Sequence, residues 1–135
     1  MANELTQKEM LAAMSPILTA EEYVFCTLEN ANYGDYADAR PIASFSEPEG
    51  LSLVLLKESA GTCGLTYDGS FRCITLTIHS SLQAVGLTSA VSGLLAEHGI
   101  SANMIAAYFH DHVFVPSEHA ERALELLLAQ SEQNQ

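Results

Sequence analysis

The stretch from Phe71 to Leu128 constrains the fold more than any other part of the chain. Phe71-Arg-Cys-Ile-Thr-Leu-Thr-Ile-His79 alternates in hydropathy, with Ile74, Leu76 and Ile78 on one face and Cys73, Thr75, Thr77 and His79 on the other. That period of two predicts a strand with one face in a core. Ala84, Leu87, Val91, Leu94 and Leu95 then recur at helical spacing, and Gly99 after His98 marks the helix stop. Ile100–Phe109 and His112–Val115 read as a hairpin turning near His110-Asp111, closed by Pro116. Ser117 is placed to cap a last helix whose core stripe is Ala120, Ala123, Leu124, Leu127 and Leu128, and Ser131–Gln135 reads as a polar, frayed end. Strand, helix, strand, strand, helix is a split β-α-β unit of the ferredoxin-like kind, short of its final strand.

The residues before Phe71 supply further elements. Thr6 and Glu9 form a capping box flanked by Leu5 and Met10, and Pro16 stops that helix near Met14. Tyr23–Leu28 is β-branched and aromatic and predicts a strand. Glu29–Pro41 is a turn-rich loop long enough to cover something. Ile42–Ser46 and Leu51–Leu56 flank Glu47-Pro-Glu-Gly50 as a hairpin, and Lys57–Leu65 suits one or two helical turns before the Asp68-Gly69 turn. The fold class expected is α+β, with antiparallel sheet and helices on one face. The order of elements suggests a tandem pseudo-duplication, with residues 1–70 as a degenerate half and 71–135 as the better-formed one. Unpaired strand edges invite association, so a homodimer is expected.

Charge narrows the partners. With 17 acidic residues against 5 basic and a formal charge of −12, the chain repels phosphate backbones and anionic lipid, so neither nucleic acid nor membrane is expected. No basic start followed by an apolar run opens the chain, and no apolar run nears the roughly 18 residues of a membrane helix. Cys26, Cys63 and Cys73 are an odd number without a close pair, which fits reduced thiols in the cytoplasm.

The turn from His79 to Leu87 is the candidate site. A helix start offers unpaired N–H groups and a positive dipole end, a natural place for a carboxylate. Ser80 and Ser81 precede it, Val85, Gly86 and Leu87 form the turn, and Asn103, Met104 and Ile105 on the next strand are expected as its second wall. The alternative is purely structural: Ser80 or Ser81 caps the helix, and Gly86, with Ala90 and Gly93, is a strip for close packing. His110, Asp111 and His112, with His79 nearby, make a metal site conceivable, although a solvated hairpin tip is the far commoner arrangement of such residues. No cysteine has a histidine beside it, no nucleophile elbow occurs, and Gly61-Thr-Cys-Gly64 lacks the lysine of a phosphate loop.

Gly86-Leu-Thr-Ser-Ala-Val-Ser-Gly-Leu-Leu-Ala-Glu-His-Gly-Ile-Ser-Ala-Asn-Met-Ile105, followed by His112-Val-Phe-Val115, resembles an ACT domain of the branch found in aspartate kinases and arginine sensors. Glu49–Leu55, Val85–Thr88 and His110–Pro116 are similar to blocks in a family of stand-alone bacterial proteins of unassigned function built from two ACT-like halves. The resemblance implies a regulatory module without catalytic activity or cofactor that binds a small metabolite, an amino acid in the first instance. Many amino-acid-binding members carry Asp-x-Pro-Gly before the first helix, whereas this chain has Gln83-Ala-Val-Gly86. Without that acid and proline, the burden falls on Ser80, Ser81 and Asn103. A module that binds a partner protein and no ligand, and a metal-dependent enzyme using His110, Asp111 and His112, are the rival readings.

Overall fold

The computed structural model describes residues 5–79 and 82–135. Its described elements run α1 (Gln7–Ala13), β1 (Pro16–Leu28), a 3-10 turn (Ala37–Ala39), β2 (Ala43–Glu47), β3 (Gly50–Leu56), α2 (Lys57–Thr62), β4 (Phe71–Leu76), α3 (Leu87–Glu97), β5 (Asn103–Ala106), β6 (Asp111–Pro116), a second 3-10 turn (Ser117–His119) and α4 (Ala120–Gln133). The chain forms two compact units. One takes the residues up to Ala20 together with Arg72–Gln135; the other is Glu21–Phe71.

In the discontinuous unit the strand order is β1-β4-β6-β5. The strand missing from the β-α-β-β-α pattern is supplied by Pro16–Ala20. Thr19 Oγ1 donates to Cys73 O at 3.2 Å, and the Arg72 guanidinium reaches Thr19 O at 3.0 Å from Nε and 2.8 Å from the terminal nitrogen. β5 and β6 pair antiparallel, Asn103 opposite Phe114 through Ala106 opposite Asp111. Met10, Met14, Ile74, Leu76, Val91, Leu95, Val113, Val115 and Leu127 are fully or nearly fully buried in one cluster between the sheet and helices α1, α3 and α4. The alternation of β4 and the helical stripes of α3 and α4 thus share a core, and removing a side chain such as Leu127 from it costs about 2–5 kcal/mol.

In the contiguous unit the order is β2-β3-β1, all antiparallel, with Phe45 opposite Ser52 and Cys26 opposite Leu53. Its own core gathers Val24, Cys26, Leu51, Leu53, Leu55 and Ala60. Tyr36 and Ala39 of the long loop pack against it. The loop does cover something.

Several boundaries move. β1 begins at Pro16 rather than near Tyr23, because Ser15 takes φ 46° and turns the chain straight from helix into strand. β4 ends at Leu76 rather than His79, where Thr77 and Ile78 donate to Ser15 and Met14 carbonyls instead, both at 3.4 Å. The hairpin turns over residues 107–110 with Ala107 N donating to His110 O at 3.0 Å, so Tyr108 and Phe109, expected in a strand, stand exposed at its tip. Cys73 is buried although it lies on the polar face of β4. Pro116, not Ser117, occupies the N-cap of the turn leading into α4. The polar end of α4 does not fray: Ser131 is only 6% exposed and its hydroxyl donates to Ala12 O at 3.0 Å. Gly93 faces open space, so the small-residue strip is not a packing seam there.

Candidate functional site

α3 starts on Gly86, which sits at φ 112°, a conformation that side chains other than glycine's rarely adopt. Gly86 O accepts the first helical hydrogen bond, from Ala90 N at 3.0 Å. The N–H groups of Leu87 and Thr88 come too early in the helix to find a carbonyl within it. No side chain caps them among the described residues, since the glycine at the cap position has none to offer. The other end of α3 is closed by a Schellman motif, with Ile100 N on Leu95 O at 2.9 Å and Gly99 N on Ala96 O at 3.0 Å, and His98 Nδ1 donates to Leu94 O at 3.0 Å.

A cleft of about 110 Å³ lies against the open start of the helix. Gly86, Leu87 and Thr88 form one wall, and Ala106, Ala107 and Asp111 the other. The volume is well below the roughly 300–1,000 Å³ of a pocket that engulfs a ligand. It suits the polar head of a small molecule whose remainder points outward. The helix N-terminus on one wall favours negative charge, and Asp111 on the other brings an acidic residue to the same cleft.

The expected site residues divide. Gly86 and Leu87 line the cleft, Leu87 with its side chain anchored in the core at 3% exposure. Val85 stands 82% exposed beside it. Ser80 and Ser81 lie outside the described residues. Asn103, Met104 and Ile105 are not among the cleft residues, and the Asn103 amide donates across the hairpin to Phe114 O at 3.3 Å. The second wall is instead the far end of the same strand and the start of the next. Gly86 is also approached more closely than its sequence suggests. The Gln7 side chain from α1 comes within 3.2 Å of where a Cβ on Gly86 would sit, and its amide donates to Gly86 O at 2.9 Å.

Asp111 lines the cleft, where sequence reasoning did not place it. From sequence it reads as part of a solvated hairpin tip or as a metal ligand between two histidines. Its signal was position: it opens β6 directly opposite Ala106, so the hairpin register brings the residue to the cleft. The histidines part around it. His79 and His110 rings stand 4.9 Å apart between centroids, while His112 turns to the sheet, sharing a 3.0 Å hydrogen bond with Thr75 Oγ1 and lying 4.0 Å from Cys73 Sγ. Burial, and secondarily His110, lower the pKa of His112, against the opposing pull of Asp111. Burial raises that of the Cys73 thiol. Among the described residues no group of three or more His, Cys, Asp or Glu is placed to hold a metal ion.

Two ACT-domain family models match the chain, one over residues 3–72 and the other over 70–129. The chain belongs to the ACT-domain family. ACT domains are regulatory ligand-binding modules. The chain is similar to a Vibrio cholerae protein of unknown function, described as a possible transport protein, at 52% identity over 92% of this chain and 94% of that one, with a TM-score of 0.84. An Agrobacterium tumefaciens protein shares the fold at 19% identity and a TM-score of 0.71, covering 86% of this chain and 87% of its own. So does the ligand-free regulatory subunit of aspartate kinase from Thermus thermophilus, at 10% identity and a TM-score of 0.62, over 87% of this ACT protein and 97% of that subunit. A comparison with curated proteins returned no match. Among the described residues no helix is long and apolar enough to cross a membrane.

Proposed function

We propose that this ACT protein is a non-catalytic cytoplasmic sensor that binds a free amino acid at the start of α3 and acts as a homodimer. Residues 71–135 form the working half in this reading, and residues 1–70 a degenerate one. One observation carries the proposal: a helix start opened by a glycine, with no side-chain cap among the described residues, shares a cleft with Asp111. The ligand carboxylate takes the N–H groups of Leu87 and Thr88, and its ammonium meets Asp111. Its side chain leaves the cleft past Val85. The carboxylate missing from the turn before the helix is replaced from β6, across the cleft. Binding regulates only if two arrangements of the protein differ in affinity for the ligand.

A thermal-shift panel of the common amino acids and their deaminated and decarboxylated analogues tests this. At about 100 times the dissociation constant a ligand adds roughly 2.7 kcal/mol of stability, a readily measured rise in Tm. The expected result is stabilisation by one or a few amino acids, lost in analogues lacking either charged group. Absence of any shift across the panel at millimolar concentration overturns it. The exposed Tyr108 and Phe109 favour a second reading, in which the hairpin tip docks a partner protein. Replacing both with Ser then abolishes a complex recovered from cell extract, while Gly86→Leu leaves it intact.

A further inference from the structure

A cavity larger than the cleft at α3 lies elsewhere in the chain. It lies within the Glu21–Phe71 unit, under the loop that joins β1 to β2, and measures about 460 Å³. Its size falls inside the roughly 300–1,000 Å³ range of small-molecule pockets. Leu51 and Leu53 of β3, both 2% exposed, contribute apolar floor. Tyr33 and Tyr36 line it from the loop, Ser44 from β2, and Arg40 from the residue closing the 3-10 turn.

Arg40 is the unusual member. It holds φ 50° and ψ 57°, a left-handed conformation in which a non-glycine residue is strained. The neighbouring Asp35 is turned away to accept from Asn32 N at 2.7 Å. The guanidinium has no ion pair or hydrogen bond among the described residues, in a chain with only 5 basic side chains against 17 acidic. Two other cations are engaged: Lys57 pairs with Glu22 at 3.7 Å, and Arg72 is tied to Thr19 O. No Asp or Glu lines the cavity. A cavity whose lining combines an unpaired arginine, two tyrosines and an apolar floor is suited to a flat apolar body carrying one negative charge. With no acid in the lining, nothing there receives an ammonium.

We infer that the cavity between the loop 33–42 and strands β2 and β3 is a second ligand site, specific for an aromatic monocarboxylate, with Arg40 as its anion-binding residue. The assignment is independent of the amino-acid reading of α3, which concerns different residues and a zwitterion.

The test is an amide-resolved NMR titration of the full chain with phenylacetate, and in parallel with phenylacetamide and phenylalanine. Phenylacetate is expected to move the amides of residues 33–44, 51 and 53 and to leave those of 86–88 in place. Phenylacetamide and phenylalanine are expected to bind at least about tenfold more weakly, the loss that goes with one charge-assisted hydrogen-bonded partner. Arg40→Gln is expected to weaken phenylacetate by a similar factor. Arg40→Gly, which removes the left-handed strain and so keeps the loop folded, is expected to do the same, and Arg40→Lys to restore part of the affinity. Equal binding of phenylacetate and phenylacetamide, or unchanged binding in Arg40→Gln and Arg40→Gly, overturns the assignment. So does the absence of any shift in 33–44.

Discussion

Helices α1 and α3 solve the same problem in opposite ways. α1 closes its own start: Thr6 Oγ1 accepts from Glu9 N at 3.1 Å while Glu9 Oε1 accepts from Thr6 N at 2.9 Å. Those hydrogen bonds hold the Glu9 carboxyl below its ordinary pKa. α3 opens on Gly86 with nothing in the cap position to turn inward. A helix start that satisfies itself has no use for an anion, and one that does not has a standing affinity for it. In the proposed reading, the contrast separates a structural terminus from a binding terminus within one unit.

The largest effect is expected from breaking the open end. Gly86→Leu forces a side chain into left-handed backbone and against Gln7, and is expected to cost about 1–3 kcal/mol and to abolish the ligand-induced rise in Tm. Urea melts with and without the stabilising amino acid measure both. Asp111→Asn keeps the shape of the cleft and removes its charge, so affinity is expected to fall about tenfold or more by calorimetric titration. Breaking the closed end gives the converse result. Thr6→Ala is expected to cost about 1 kcal/mol of stability while the dissociation constant stays unchanged. Should Thr6→Ala weaken binding as Gly86→Leu does, the two termini are not functionally distinct.

The smallest effect is in pH. His112 takes its proton near pH 6.5 when unfolded, but burial lowers its pKa in the folded chain. In that window the unfolded chain binds the extra proton, so stability falls as the pH drops below about 6.5. Protonation of the folded chain comes at lower pH still and sets a cation next to Asp111, so ligand affinity is expected to decline there. Thermal melts between neutral and mildly acidic pH, repeated on His112→Gln, should show the slope flatten in the variant.

Much of this was legible in the sequence where a pattern was local. The Thr6–Glu9 box, the Glu47–Gly50 turn, the strand at Phe71 and the stop at Gly99 each depend on residues close in the chain, and each forms as its chemistry dictates. Gly86 was legible as a helix opener for the same reason. What was not legible depended on register and distance. Pro16–Ala20 carries no strong strand signal, and becomes a strand because Arg72 and Cys73, more than fifty residues later, offer it partners. Asp111 reaches the cleft only because the hairpin turns over Ala107–His110, two residues earlier than the histidine and aspartate suggested. Gln7 meets Gly86 through the packing of α1 on the same core, which no spacing encodes. Arg40 gave no signal beyond a loop too long to be a simple connection.

The division of β1 has a consequence for how the protein is made. Its first five residues belong to a unit that also needs Arg72–Gln135, while the rest belongs to a unit lying wholly within Glu21–Phe71. Seen from an emerging chain, the second is an insertion whose residues are all present once Phe71 has been synthesised. The first must hold its α1 and its share of β1 in waiting until α4 arrives. Order of completion therefore runs against order of sequence, and a chain halted after β4 would display α1 with its apolar face uncovered.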